Sequence, residues 1–174
     1  MVSFIFIDAG FQVTRNHLYQ TLPTLFKQWS LSVEIMPTGL VDTWGNILHV
    51  GLGGNSEEYG DRTPIIWFAP GTTKMRINSA INGDKNYIIS ADPLPINEWT
   101  QIEISQLTQP DGVHQFTIRV AGTIFREITN TAPQEFSNVK VYTSDNYFSA
   151  ANAMIANLTI STFPECESVY ANII

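Results

Sequence analysis

The residue types best suited to ligand chemistry in this sequence gather in three polar loops. The segment Gly53-Gly54-Asn55-Ser56-Glu57-Glu58-Tyr59-Gly60-Asp61-Arg62-Thr63-Pro64 combines three acids with an amide, an aromatic ring and glycines that allow tight backbone turns. Oxygen donors on a flexible loop are what a hard cation requires, so Asn55, Glu57 and Asp61 are the expected calcium ligands. The same atoms have a local use, with Asp61 pairing to Arg62 or capping its own turn. The segment Tyr142-Thr143-Ser144-Asp145-Asn146-Tyr147-Phe148 sets planar hydrogen-bonding groups beside aromatic rings, the combination a sugar needs. An Asx turn would use Asp145 and Asn146 equally well. In Val41-Asp42-Thr43-Trp44-Gly45-Asn46 the indole of Trp44 serves recognition if exposed and packing if it lies over the edge of the fold. Trp44, Tyr59, Asp145, Asn146 and Tyr147 are therefore the expected ligand-binding residues.

Covalent chemistry has less to work with. Glycoside hydrolysis uses two carboxylates several ångströms apart. Glu34 has Ser32 and Met36 two residues away, and Glu103 has Gln101 and Ser105, so neither strand offers a second acid on the same face. A pair formed across two strands stays open, because register is not written in either one. His17, His49 and His114 lack partners at metal-binding spacing, and His49, inside Ile47-Leu48-His49-Val50, reads as a hydrogen-bonded structural histidine. No serine stands in a Gly-x-Ser-x-Gly elbow, and Gly51-Leu52-Gly53-Gly54 runs into turn and strand instead of a phosphate-cradling helix. The expectation is a protein that is not an enzyme. With one cysteine, Cys166, no disulfide can form within the chain; the thiol is either unpaired or bridges to another chain.

What must position these loops is a set of short strands. Apolar residues make up 44% of the 174 positions and charged residues 14%, which suits a globular domain and excludes a disordered or fibrous class. A net charge of −7 repels phosphate backbones and anionic lipid surfaces, so nucleic acid is not an expected partner. Apolar runs such as Val2–Ile7 and Pro64–Ala69 are strand-length, far short of the roughly 20 residues of a membrane-spanning helix, and no membrane insertion is expected. Trp29-Ser30-Leu31-Ser32-Val33-Glu34-Ile35 alternates strictly, and similar strand signals recur at 46–52, 64–69, 73–78, 87–91, 99–105, 115–121, 123–128, 138–143 and 154–161. Asn82-Gly83-Asp84, Asp92-Pro93-Leu94-Pro95 and Pro110-Asp111-Gly112 punctuate them as turns. The stretch 17–28 is ambiguous between a strand and a brief helical turn. The tail from Phe163 could pair as an edge strand or trail off. The whole chain, 1–174, is expected to be one domain with its core over about 25–162.

The run Leu94-Pro95-Ile96-Asn97-Glu98-Trp99-Thr100-Gln101-Ile102-Glu103-Ile104, the turn Asp111-Gly112, and the return Phe116-Thr117-Ile118-Arg119-Val120-Ala121-Gly122 resemble the central hairpin of laminin-G-like domains. Trp29–Met36, Asn46–Leu52 with Pro64–Phe68, and Ala153–Ile160 fit the same plan. The resemblance implies an all-β, two-sheet antiparallel jelly-roll sandwich of the concanavalin A-like/laminin-G-like kind. That superfamily holds lectins, calcium-dependent adhesion modules, pentraxins and glycoside hydrolases, so fold alone does not choose a function. The expected function is a non-catalytic extracellular binding or adhesion module that recognises glycan or protein through rim loops, with calcium as its cofactor. The alternatives are a glycoside hydrolase or lyase using Glu34 and Glu103, and a self-assembling module that forms homo-oligomers. The opening residues lack the basic region of a signal peptide, and the Asn157-Leu158-Thr159 sequon is compatible with a secreted protein.

Overall fold

The computed structural model describes residues 2–5 and 9–164, and the regular elements among them are all strands. One sheet runs, edge to edge, β1 (Val2–Ile5), β14 (Ala153–Phe163), β4 (Gln28–Pro37), β9 (Thr100–Thr108), β10 (His114–Val120) and β11 (Thr123–Asn130). The short β2 (Phe11–Gln12) also pairs with β14. The second sheet runs β3 (Leu18–Leu25), β12 (Phe136–Tyr142), β5 (Gly45–Gly51), β6 (Ile65–Phe68), β7 (Lys74–Ile81) and β8 (Asp84–Pro93). All these pairings are antiparallel, and only the two-residue β13 (Ser149–Ala150) lies parallel, against β5. The two sheets pack face to face as the expected sandwich.

Alternation decides which side chains enter the core. On β4, Trp29, Leu31, Val33 and Ile35 are buried, while Gln28, Ser30, Ser32 and Glu34 line the outer face. They meet Leu48, Ile66, Ile77, Val139 and Val141 from the second sheet in one apolar cluster. Each fully buried aliphatic side chain there stabilises the fold by about 1.5–3 kcal/mol. The turn Asn82-Gly83 between β7 and β8 has both residues at positive φ, 56° and 79°, the conformation a tight two-residue hairpin requires.

Three features differ from the sequence reading. The ambiguous stretch 17–28 contains β3, whose only buried side chains are Leu22 and Leu25, so its alternation is faint. Its Pro23 is tolerated because β3 is an edge strand. The core also starts earlier than residue 25, since Val13 and Leu22 belong to it. β5 and β6 do not alternate at all, because both of their faces are buried. Cys166 and the tail beyond Pro164 lie outside the described residues.

Candidate functional site

The outer face of β5 and β6 is covered by the connection 52–64 and by the loop 143–148, which trap a layer of polar side chains against the sheet. At its centre is His49, 1% exposed. Its Nδ1 donates to the Asp145 carboxylate at 2.8 Å and its Nε2 donates to the Asp61 carbonyl at 2.5 Å. The ring and the equally buried Asp145 carboxyl thus form one close pair that links the sheet to the loop 143–148. The other Asp145 oxygen accepts the amides of Tyr147 and Phe148 at 2.9 and 3.1 Å, and the Asp145 amide donates to Asn46 Oδ1 at 2.7 Å. One carboxylate thus fixes the sheet, the 52–64 connection and the loop that carries Phe148. Close packing of the connection depends on Gly54, where a Cβ would stand 2.4 Å from an Asp61 carboxylate oxygen.

Beside this layer opens a cleft of about 170 Å³. Three aromatic rings form its walls. Trp67 meets Phe148 edge to face at 4.5 Å between centroids and Trp44 at 5.8 Å. Two guanidinium groups lie on the indoles: Arg62 over Trp67 and Arg76 over Trp44, each 4.8 Å from the ring centroid. Arg62 is fully engaged, with Nε and one terminal nitrogen donating to the Asn55 carbonyl and Oδ1, both at 2.6 Å, and the other to Asn86 Oδ1. Burial holds the Arg62 guanidinium below the ordinary arginine value; the like charge of Arg76 adds to this, while Asp145, Glu57 and Asp61 oppose it. Asn78 accepts from Trp67 Nε1 at 3.2 Å and donates to Asn86 Oδ1 at 2.7 Å, so Asn86 keeps its amide nitrogen for other use. Arg76 differs from all of these, because its buried Nε has no hydrogen-bond partner.

The structure brings together part of the expected ligand set. Trp44 stands in the cleft wall, half-buried, and Asp145 lies under it as an anchor, closed to ligand at 1% exposure. Tyr147, exposed, ties its hydroxyl to the Gly53 carbonyl at 2.9 Å, and the Asn146 carbonyl accepts from Arg15 at 2.7 Å. Tyr59 is elsewhere: its ring packs on Phe136 and its hydroxyl donates to the Ala132 carbonyl. Of the expected calcium ligands, Asn55 gives its oxygens to Arg62 and Glu57 accepts the amides of Asn55 and Ser56 at 2.9 Å. Asp61 accepts the Glu58 amide at 2.8 Å. Those amide bonds, Ser56 foremost, pull the Glu57 carboxyl below its usual range. Among the described residues no three His, Cys, Asp or Glu side chains gather closely enough to hold an ion.

Trp67, Arg76, Asn78 and Asn86 escape a reading of the sequence alone. Arg76 and Asn78 sit on β7 opposite Trp67 and Ile65 of β6, on the face turned away from the core. The alternation Lys74-Met75-Arg76-Ile77-Asn78 reads as a strand with a solvated outer face, which hides Arg76 and Asn78 as site residues.

Two other places merit comparison. A larger recess, about 660 Å³, lies between the 91–101 and 120–125 segments, with Leu94, Trp99 and Phe125 among its lining residues. It is more apolar than the cleft, and its planar polar groups, Glu34, Asp92, Glu98 and Gln101, are mostly acids, whereas the cleft gathers two guanidiniums and two amides. Glu34 and Glu103 share the outer face of the first sheet as diagonal neighbours, since Ser32 is opposite Glu103 and Glu34 opposite Gln101. They open into different recesses, Glu34 into the large one and Glu103 into a shallow one of about 190 Å³. Glu34 also accepts from Asn157 Nδ2 at 2.8 Å.

No protein-family model matches the sequence, and no curated protein sequence matches it. Solved structures do. The receptor-binding domain of botulinum neurotoxin type G superposes on 91% of the chain with a TM-score of 0.57 at 13% identity. The heptameric SAP-like pentraxin of Limulus polyphemus covers 91% of the chain and 75% of its own, with a TM-score of 0.55 at 14% identity. A Trypanosoma rangeli sialidase matches 76% of the chain with a TM-score of 0.55 at 11% identity, over 20% of its own length. The chain spans 40% of the neurotoxin domain. At such identities the likeness is one of architecture, and this chain has the concanavalin A-like/laminin-G-like jelly-roll fold.

Proposed function

We propose that this chain is a non-catalytic binding module that recognises glycan outside the cell through the cleft between Trp44, Trp67 and Phe148. The carrying observation is the convergence of three aromatic walls with planar hydrogen-bonding groups on a floor already fixed by His49 and Asp145. Aromatic faces take the apolar side of a sugar ring, while amide and guanidinium edges take its hydroxyls. Because the floor is hydrogen-bonded throughout, little ordering cost falls on binding. A solved structure of botulinum neurotoxin type C, whose cell entry depends on interaction with two ganglioside molecules, has the same architecture with a TM-score of 0.50 and supports this direction.

The test is a glycan array probed with the wild type and with Trp44→Ala, each in calcium and in chelator. Binding is expected in the wild type and lost in Trp44→Ala. A blank array, or binding indifferent to Trp44, refutes the reading. Loss in chelator would restore a calcium role for Asn55, Glu57 and Asp61, which requires Arg62 to release the Asn55 oxygens. The alternative of a glycoside hydrolase rests on the shared face of Glu34 and Glu103, and turnover abolished by Glu34→Gln and Glu103→Gln would favour it.

A further inference from the structure

We propose that Arg76 anchors the carboxylate of an acidic sugar, so that the ligands of this cleft are carboxylate-bearing glycans. The inference rests on the cleft being the glycan site, and it comes from what Arg76 lacks. Its guanidinium carbon stands over the Trp44 ring, 4.8 Å from the centroid, and the hydrogen-bonding capacity of the group lies along its N–H edges. The Nε on that edge is buried and has no partner, a rare condition for a buried donor in a native fold. Arg62, 14 positions earlier in the chain, shows the contrast: it stacks on Trp67 in the same way, yet every nitrogen is bonded to Asn55 or Asn86. One guanidinium builds the cleft; the other is left for a ligand.

The edge of a guanidinium presents two parallel donors, which match the two oxygens of a carboxylate. The place also suits an anion electrostatically. Arg76 and Arg62 are like charges near enough to perturb one another, while the acids around Arg62 belong to the polar layer beneath. In a chain of net charge −7, this cleft has two cations and no acid among its lining residues. A bare carboxylate would leave Trp44 and Phe148 unused, whereas a sugar acid sets its ring against them and its hydroxyls near the free amide nitrogen of Asn86.

The experiment compares uronic-acid oligosaccharides with the same oligosaccharides after carboxyl reduction, by calorimetry on wild type, Arg76→Gln and Trp44→Ala. Wild type is expected to bind the acidic form at least about tenfold more tightly than the reduced form. Arg76→Gln should erase that preference, and Trp44→Ala should weaken both forms. Arg76→Lys, which keeps the charge and loses the fork, should retain only part of the preference. Arg76→Gln loses the contact with the Trp44 ring and no hydrogen bond, so it should fold cooperatively with only a small drop in melting temperature. Equal binding of acidic and reduced forms, with Trp44→Ala still weakening both, overturns the role of Arg76 and leaves the glycan cleft standing. A wild type that binds neither form, nor any neutral or sulfated glycan, overturns both.

Discussion

The buried His49–Asp145 pair invites a double-mutant cycle. Removing one member of a buried ion pair leaves the other charge without compensation and costs about 3–5 kcal/mol. Asp145→Ala should be the more damaging single change, because Asp145 serves the His49 ring and the amides of Tyr147 and Phe148, whereas His49 serves two oxygens. In His49→Ala/Asp145→Ala the orphaned charge is absent, so the double variant should lose less than the sum of the singles by about 2–3 kcal/mol. Asp145→Asn separates charge from shape. The asparagine oxygen still accepts the two loop amides, and a neutral ring accepts from its nitrogen at Nδ1 while donating from Nε2 to Asp61, so the cost should fall to about 1–2 kcal/mol. Urea unfolding resolves these differences in a domain whose total stability is about 5–15 kcal/mol. Single-variant costs that add to within about 0.5 kcal/mol, or an Asp145→Asn variant as damaged as Asp145→Ala, would refute the charge-pair reasoning.

Two further outcomes follow from the connection between β5 and β6. Gly51→Ala should destabilise the fold severely, because its Cβ would stand 1.9 Å from the Asp61 carbonyl oxygen that His49 holds; a melt indistinguishable from wild type would contradict that contact. The lowered Glu57 carboxyl contributes stability that is present above 4.5, its unperturbed value, and is lost as pH falls through the lower folded value. Protection of the Asn55 and Ser56 amides, taken relative to the intrinsic exchange rate at each pH, should therefore fall in that acid window in wild type and show no such window in Glu57→Gln.

Alternation made the sandwich legible. Trp29 to Ile35, Ile102 with Ile104, and Val139 with Val141 each present one apolar face, and each is buried as that pattern demands. The pattern is silent where both faces are covered, as on β5, so His49 read correctly as a structural histidine but its partners did not show. Asp145 is 96 residues away from it, and only the closing of two loops over the sheet brings them together. The candidate site was half visible for the same reason. Trp44 stood out as an aromatic in a polar loop, whereas Trp67 sat inside an apolar run and looked like core. Arg76 and Asn78 looked like the wet face of a strand until a loop carrying Phe148 came down beside them. Oxygen-rich composition at 55–61 pointed to an ion, but composition does not say that Arg62 lies within reach of the same oxygens.

The distribution of the four tryptophans gives the molecule its own optical report. Trp29 is sealed in the core against Phe116, and Trp99 stands at the large recess, while Trp44 and Trp67 each carry a cation on the ring face within one cleft. Charge next to an indole shifts the energy of its emission, so an anion arriving between Arg62 and Arg76 alters the light from two of the four rings and leaves the core ring as an internal reference. With Trp99→Phe removing the emitter at the other recess, intrinsic fluorescence separates occupancy of the cleft from events elsewhere on the surface, with no label attached.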